Sequence, residues 1–442
     1  MRISSTLYFQ TGLNSLNRQQ SDLMNIFQQV GSGKRMITAA DDPLAAAQTI
    51  SLSQAQGINK RFAENREVAS RSLNEEENVL NAITTQLSAV KTRLVEAANG
   101  SLSDADRATL ANTFRSSQES LMGLANATDG SGQYLFAGSQ SNVPPFQVDE
   151  GVGAKYVGDF SDRNIQIDQT RLLSSADNGY DIFLRAAPGI SSFLSAGDVN
   201  NAGSGQIASP TITSPNLAAN VVGVDIEFTD ESHYTLTVNV VNDDGDIVLH
   251  TVSGNYEASS GATVLAVPTR FDAAGDPVVD ADGQPVSGLS ISFEGAPVAG
   301  DRFTVQRASA TAMGDYQRSD INLFNTLEDV IRALETPADG DPVAQAQLRN
   351  VLNGAMQRID VNYNNVLTVR ASVGARMNEI DALDANGSLQ ALHITSELSR
   401  LEDLDYFAAS SQLELRQAAL EAASLAFKKI QSTSLFSLRA GG

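Results

Sequence analysis

The sequence predicts a mainly α-helical chain with a β-rich middle domain, built on long antiparallel coiled-coil helices from both termini. Apolar residues recur at helical three- and four-residue spacing in both flanks, whereas nine of the 12 prolines lie between positions 144 and 297. Residues 144 to 312 also hold 22 acidic and seven basic residues, which is most of the net charge of −22. A solvent-facing insertion between packing termini fits this distribution.

The flanks are predicted to form a short amphipathic helix followed by longer ones. Asp42-Pro43 and Asp341-Pro342 are typical of helix starts, because aspartate caps a helix and proline suits its first position. An apolar series of eleven positions from Leu348 to Leu383 predicts a coiled-coil seam. Its polar interruptions are Asn362 and Arg376.

The two terminal helices are predicted to pair and then to pack against neighbouring subunits. Their apolar stripes are narrow and rich in alanine and serine, so one isolated pair would bury little area. We therefore predict an assembly interface on both helices, formed by Leu13, Leu16, Leu23, Ile26, Phe27, Leu401, Leu404, Ala408, Leu415, Ala418, Ala422 and Leu425.

The 442 residues are too many for one core, because single cores stop growing at about 250 to 300 residues. We predict terminal coiled-coil helices at residues 1–43 and 400–442. A bundle of long helices is predicted at 44–143 and 313–399, and an outer β-rich domain at 144–312. Because proline and charge concentrate in the insertion, its removal, with Asn142 joined to Met313, is expected to leave assembly intact.

The insertion carries two local β signals. Val238 and its neighbours alternate with polar residues, and Asp244-Gly245 is typical of a two-residue hairpin turn, which would place Asn239 opposite His250. The tandem repeat FDAAGDPV, VDADGQPV, which begins at Phe271, predicts two turns on a β-scaffold.

No catalytic, cofactor or metal site is predicted. The chain has no cysteine and only three histidines, His233, His250 and His393. The proposed hairpin would place the first two on one face but too far apart to share a metal. The run VGSGKR is only part of a phosphate-binding loop, since Gln28 and Arg35 replace the required glycine and hydroxyl residue.

Other function classes are disfavoured by composition. Asp280, Asp282 and Gly283 hint at a calcium loop, but Gln284 and Pro285 replace the next required residues. The negative net charge repels nucleic acid and anionic lipid, so no nucleic-acid partner is expected. No membrane insertion is expected either, because no segment is long and apolar enough to span a bilayer.

Several segments resemble the flagellin superfamily. They are SGKRMITAADDPLAAAQTI from Ser32 to Ile50, VGARMNEID from Val373 to Asp381, and LSRLEDLDYFAASSQLELRQAALEAASLAFKKIQSTSLFSL from Leu398 to Leu438. The resemblance covers both flanks, which are more than half the chain. A fourth segment, QYLFAGSQSNVPPF from Gln133 to Phe146, is similar to the hook-associated members of this superfamily.

The resemblance implies an extracellular structural adaptor of the bacterial flagellum, not an enzyme, that joins the hook-associated region to the flagellin filament. It implies export by the flagellar type III apparatus without a cleaved signal peptide, and no cofactor. The implied partners are the hook-associated protein FlgK, flagellin, like subunits in a ring, and an export chaperone on the C-terminal helix.

Two alternatives stay open. The chain ends in LFSLRAGG where many family members have an LFDYL-like tail, which leaves room for a flagellin, the filament subunit itself. A more distant alternative is a secreted coiled-coil carrier of a β-domain that binds or hydrolyses glycans.

Overall fold

The structure is a computed structural model that describes residues 5–149, 153–185, 192–242, 245–258, 262–272, 274–308 and 321–439; the side chains of residues 5, 6, 8, 9 and 430–439 are not described. Long helices at both ends and a β-rich middle confirm the predicted fold class. The helices are α1 (Ser5–Ser32), α2 (Pro43–Ala97), α3 (Asp104–Ala125), α4 (Gly179–Phe183), α5 (Pro215–Ala218), α6 (Leu323–Glu335), α7 (Pro342–Glu402) and α8 (Tyr406–Arg439).

Thirteen strands are assigned in the described part of the chain. They are β1 (Phe146–Asp149), β2 (Gly153–Tyr156), β3 (Asn164–Gln166), β4 (Leu172–Ser174), β5 (Phe193–Gly197), β6 (Gln206–Ile207), β7 (Thr211–Ile212), β8 (Val221–Phe228), β9 (His233–Val241), β10 (Ile247–Asn255), β11 (Thr263–Pro268), β12 (Ser287–Glu294) and β13 (Arg302–Arg307).

The chain divides into two compact units. One contains residues 1–66 and 381–442, and the other contains residues 67–380. The divisions fall inside α2 and α7, which pass from one unit to the other. The predicted boundaries at residues 43 and 400, and the separate outer domain at 144–312, stay predictions.

Both predicted helix starts are confirmed. The Asp42 carboxylate accepts the Ala45 N–H at 3.0 Å, and Asp341 accepts the N–H groups of Val343 and Ala344 at 2.9 and 3.2 Å. Each aspartate thus satisfies amide groups that the first turn of a helix leaves without partners.

Most strands of the second unit form a β-sandwich. The first sheet has the order β10-β9-β8-β13-β5, and the second has β11-β12-β6 with β7 also paired to β12. Side chains from both sheets share one buried core, which includes Val224, Phe228, Leu265, Ile291 and Phe303. Alternation of apolar and polar residues along each strand places these side chains on the inner faces.

The β9–β10 hairpin forms, but the predicted register is wrong by one residue. Asn239 pairs with Leu249, and His250 pairs with Val238. The Asn242 N–H donates to the Asp246 carbonyl at 2.9 Å, so three residues lie inside the closing pair instead of two. Asp244 lies outside the described residues. The shift places His250 and His233 on opposite faces of the sheet, because cross-strand partners share a face.

The two eight-residue repeats form turns, as predicted. Asp272 accepts the N–H groups of Ala274 and Asp276, and Asp280 accepts those of Asp282 and Gln284, all at 2.9 Å. Gly275 and Gly283 have φ values of +90° and +76°, which only glycine adopts at little cost. The repeated Asp-x-x-Gly pattern is therefore explained by backbone geometry.

Amide side chains on α7 hold the sandwich. The Gln357 Oε1 accepts the Ser195 N–H of β5 at 2.7 Å, and the Asn350 Oδ1 accepts the Ile207 N–H of β6 at 2.9 Å. Asn353 donates to the Ile207 carbonyl at 3.1 Å. These three residues lie on one face of the helix, so α7 covers one edge of each sheet.

The polar positions of the predicted α7 seam contact the insertion or the segment that follows it. Asn362 is fully buried and donates to the Ile321 carbonyl at 2.8 Å, while Arg376 pairs with Asp177 and donates to the Ser174 carbonyl at 3.0 Å. They are therefore anchor points for the intervening segment.

An aromatic cluster packs the start of the insertion against α6. The Phe324 ring centroid lies 5.2 Å from that of Phe146 and 5.9 Å from that of Phe183. Phe136 and Tyr156 extend the cluster. This part of the insertion therefore shares its core with the helices of the second unit.

Candidate assembly surface on the terminal helices

Helices α1 and α8 pack side by side and run antiparallel. A Cβ atom at Gly12 would lie 3.2 Å from the Phe427 ring, and one at Gly33 would lie 3.0 Å from the Tyr406 hydroxyl. The same number of residues separates Gly12 from Gly33 and Tyr406 from Phe427, so the two segments keep one register. Between them, Arg416 forms an ion pair with Asp22 at 2.6 Å.

The loop after α1 forms hydrogen bonds and an ion pair with residues at the junction of α7 and α8. The Arg35 N–H donates to the Glu402 carbonyl at 2.7 Å, and the Leu404 N–H donates to the Gly33 carbonyl at 3.0 Å. Lys34 forms an ion pair with Glu402 at 3.0 Å. These contacts give a structural role to Gly33 and to both basic residues of the partial phosphate-loop motif.

The end of this loop is closed by an acidic residue. The Asp41 carboxylate accepts the N–H groups of Thr38 and Ile37 at 2.8 and 3.0 Å, and these hydrogen bonds lower the pKa of Asp41. The ionised form is thereby favoured, so the loop is stabilised at neutral pH.

The two helices meet along heptad-spaced stripes whose apolar side chains are buried or half-buried. On α1 this stripe includes Leu16, Leu23 and Ile26, three of the predicted residues. On α8 the stripe consists of Ala409, Leu413, Arg416, Leu420, Ala423 and Phe427, and of these Arg416 is exposed. The spacing of four and three residues is that of a coiled-coil seam.

The seam predicted for α8 is therefore wrong as the surface that meets α1. The predicted positions are offset by two residues from the packed stripe, which is about 200° around an α-helix. Leu415 and Leu425 are 68% and 66% exposed, and Ala408, Ala418 and Ala422 are exposed as well. Both stripes of α8 are apolar at the same period, so periodicity alone selected the wrong one.

The remaining predicted residues divide in the same way. Leu401 is buried and Leu404 is half-buried beside the loop contacts, whereas Leu13 and Phe27 of α1 are exposed. The predicted set therefore mixes side chains that hold the pair together with side chains that face outward.

The exposed face of α8 has the character of an interface. We call it the outward stripe, and it consists of Ala408, Ser411, Leu415, Ala418, Ala422 and Leu425. None of its six side chains is charged. A helix on a free surface normally carries charged or polar residues on the face away from its partner. Helix α8 is instead apolar or small on both faces, which suits burial on both.

The structure shows what surrounds two histidines considered as ligands. His233 pairs with Asp230 at 2.8 Å, and the His250 ring stacks on Phe271 with centroids 3.9 Å apart. Across the part of the chain that is described, no group of three or more histidine or acidic side chains could hold a metal ion. None of the described helices meets the length and apolarity needed to cross a membrane.

Sequence reasoning singled out Asn362 but missed the other amides of α7, which position the insertion. Asn350, Asn353, Gln357, Asn362 and Asn365 recur on a helix, and all but Asn353 are buried. Uncharged amides at such spacing inside an otherwise apolar series are a signal that could have been used. They mark a helix face that meets backbone groups of another element.

Comparison with known proteins agrees with both ends of the fold. Residues 3–141 match the bacterial flagellin N-terminal helical region, and residues 356–438 match the bacterial flagellin C-terminal helical region. The two matches together span half of the chain. The chain therefore belongs to the flagellin family, and the predicted resemblance is confirmed. It is a structural component of the bacterial flagellum.

Similarity to curated relatives extends over the whole length. The chain is 27% identical over 438 residues to flagellar hook-associated protein 3 of Escherichia coli K12, and equally to that of Salmonella typhimurium LT2. Each comparison covers 99% of this chain and 99% of the relative.

Solved structures share the fold. The crystal structure of Xanthomonas campestris FlgL is 24% identical with a TM-score of 0.60, and covers 79% of this chain and 99% of its own. Hook-associated protein 3 from Legionella pneumophila is 21% identical with a TM-score of 0.59, and covers 79% and 98%.

Proposed function

We propose that this chain is the adaptor subunit at the hook–filament junction, where it joins the hook-associated region to the flagellin filament without catalysing a reaction. The outward stripe of α8 carries this proposal, because it is a solvent-facing helical surface with no charged side chain. The full-length similarity to relatives named hook-associated protein 3 supports the junction over other positions in the flagellum.

The energetics favour assembly through the terminal helices. The α1–α8 seam includes half-buried positions and Arg416, so the pair alone leaves much of its apolar area in water. Burying a leucine side chain contributes about 1.5–3 kcal/mol, and ordering the backbone costs about 1–2 kcal/mol per residue. Neighbouring subunits would supply the missing burial by covering Leu415, Leu425 and the exposed side chains of α1.

This role implies a set of partners. We propose that like subunits form a ring through the terminal helices, that the hook-associated protein FlgK lies on one side of it and flagellin on the other, and that an export chaperone covers the C-terminal helix before assembly. The same role implies export by the flagellar type III apparatus to an extracellular position. In this proposal, residues 1–43 and 400–442 form the inner assembly region.

The sharpest test places a charge on the outward stripe. Leu415→Asp should leave the thermal unfolding midpoint of the purified chain nearly unchanged, because the side chain is already in water. It should abolish incorporation at the hook tip in cells, since an unpaired carboxylate in a formed interface is costly. Gln412→Asp is the matched control, because Gln412 is exposed on α8 but lies outside the stripe. Normal incorporation of Leu415→Asp would refute the proposed interface.

A second measurement addresses the monomer. Amide hydrogen exchange on residues 400–442 should be fast in the purified chain and slow after assembly. Strong protection in the monomer would contradict the idea that neighbours complete this region.

The filament-subunit alternative makes an opposite prediction. A flagellin should polymerise into long filaments when purified, whereas a junction adaptor should not do so without its neighbours. Electron microscopy of a deletion strain gives the complementary result, because intact hooks with filament protein released into the medium identify a junction component.

A further inference from the structure

The two ends of the β-sandwich differ in whether another element covers their edge strands. At one end, Gln357 and Asn350 of α7 bond to the backbone of β5 and β6 and so cover both sheet edges. At the other end, β10 is the last strand of the five-stranded sheet, and β9 is the only described strand that pairs with it. A nine-residue open edge without proline or lysine is uncommon, because such edges attract further strands.

The hydrogen bonds at both ends of the hairpin show which backbone groups of β10 face outward. The Asn242 N–H donates to the Asp246 carbonyl at 2.9 Å, and the Tyr256 N–H donates to the Ser232 carbonyl at 2.7 Å. Hydrogen-bonded pairs alternate along an antiparallel ladder, so even-numbered residues of β10 bond to β9. The N–H and C=O groups that point away from the sheet belong to Ile247, Leu249, Thr251, Ser253 and Asn255.

The side chains along this edge are uncharged, but acidic residues lie beyond both of its ends. Asp246 directly precedes the strand. Glu257 follows it, and Asp230 and Glu231 lie in the loop before β9, whose first residue pairs with the last residue of β10. All four are exposed. Residues 186 to 269 contain nine acidic residues and no lysine or arginine.

We propose that the β10 edge binds an extended segment of a partner protein as an additional antiparallel strand, and that this segment is uncharged in its middle and basic at both ends. Main-chain hydrogen bonds to the five outward residues would give affinity, and the acidic ends would select for lysine or arginine. Exposed Ile247 and Leu249 would contact apolar side chains of the added strand.

Charge argues against a second copy of this chain as the occupant. Antiparallel pairing of two β10 strands would bring Asp246 of each copy towards Asn255 and Glu257 of the other. Like charges placed together in this way disfavour association. The same acidic residues would instead form favourable contacts with a basic segment.

The test uses the full chain and a synthetic peptide of alternating valine and threonine, as long as β10, with two lysines at each end. Fluorescence anisotropy should show saturable binding that weakens with added salt. Amide exchange on the complex should slow at alternate residues only, namely Ile247, Leu249, Thr251, Ser253 and Asn255. No binding, or uniform protection of the whole sandwich, would overturn the proposal.

Variants locate the contact. Thr251→Pro removes one outward N–H without removing a bond to β9, and should weaken peptide binding at least about tenfold, whereas Thr251→Ala should bind as the parent does. If Thr251→Pro does not fold, a peptide N-methylated at the positions that face β10 serves instead, and its binding as tightly as the unmodified peptide would refute strand addition. Asp246→Lys with Glu257→Lys should also weaken binding. Self-association of the unmodified chain through β10 in sedimentation would overturn the choice of partner.

Discussion

The terminal helical pair and the helix-bound sandwich both contain apolar residues at regular spacing, but they bury them to different extents. In the second unit, large side chains such as Phe324 and Phe303 are almost completely buried, and buried amides on α7 bond to backbone groups. In the terminal unit, Phe407 is 92% exposed and Leu415 faces water. Apolar periodicity is present in both, so it does not by itself show which surfaces are covered within one chain.

This difference indicates which unit is stable without neighbouring subunits. The second unit has a core of its own, and buried amides of α7 bond to backbone groups within that unit, whereas the terminal pair has one packed stripe and one exposed stripe. The first arrangement is expected to fold in isolation, and the second is expected to gain stability on association.

The largest expected effect is a difference in folding between two deletion proteins. Removing residues 144–312 would also remove Phe146 and Phe183, which pack on Phe324, so the helices of the second unit should lose cooperative unfolding. Removing only residues 193–307 should leave them folded, because the Ala308 N–H donates to the Ser192 carbonyl at 2.8 Å and the cut ends therefore already meet.

The whole insertion is therefore not expected to be dispensable, because its first part packs on Phe324. Circular dichroism melts of the two deletion proteins provide the measurement. Equal, cooperative transitions in both would show that the aromatic cluster is not part of the helical core.

The next effect is a difference in the free energy of unfolding between substitutions of a buried and an exposed phenylalanine. Phe324→Ala should reduce the free energy of unfolding by about 3–5 kcal/mol, because it leaves a cavity in a closed core. Phe407→Ala removes the same atoms from an exposed position and should change it by less than about 0.5 kcal/mol. Urea titration of both variants measures the difference. A large loss from Phe407→Ala would mean that the terminal face is already covered in the monomer.

The sequence was sufficient to predict the overall architecture. It was insufficient to predict which face of each helix or strand is buried. The apolar periodicity of the flanks, the Asp-Pro starts and the proline-rich middle predicted the long helices and the insertion. The packed stripe of α8 could not be distinguished, because Leu413 and Leu415 belong to two apolar stripes of equal period. The predicted hairpin register was wrong because one additional loop residue shifts every pair. All of the α7 amides except Asn362 were missed, because their partners are backbone atoms far along the chain.

A buried acid in the second unit gives a pH-dependent effect. The Glu76 carboxyl is fully buried and accepts the Asp177 N–H at 3.2 Å. Burial, and then the nearby Asp177 charge, raise the pKa of Glu76 well above its ordinary value of 4.5, while Arg376 acts in the opposite direction. Asp162 is also close to this group of charges, and its pKa is raised as well, by burial and then by Asp177.

The direction in which stability changes with pH follows from the raised pKa of Glu76. The folded state holds the Glu76 proton to higher pH than the unfolded state does, so the associated stability is fully present below about pH 4.5 and is lost as the pH rises through the folded-state pKa. Across that window the loss is about 1.4 kcal/mol per pH unit. Glu76→Gln should remove this dependence, so that the variant gains stability over the parent as pH rises.

Thermal melts of Glu76→Gln and the parent from pH 4 to pH 8 measure this gain. The neighbouring substitution Glu77→Gln is the control, because it breaks an ion pair with Arg370 at 2.6 Å and should therefore produce a loss instead. Parallel pH profiles for the parent and Glu76→Gln would show that the buried carboxyl does not control stability.

The smallest expected effect concerns the covered edge of the sandwich. Gln357 accepts the Ser195 N–H at 2.7 Å and donates to the Ser195 Oγ at the same distance, and Ser195 is fully buried. Gln357→Ala leaves that N–H without its partner, so it should lower the free energy of unfolding by about 1–3 kcal/mol. Asn364→Ala, an exposed amide on the same helix, should change it by less than about 0.5 kcal/mol. Urea titration distinguishes them, and equal values for the two variants would show that α7 only lies beside the β5 edge and does not stabilise it.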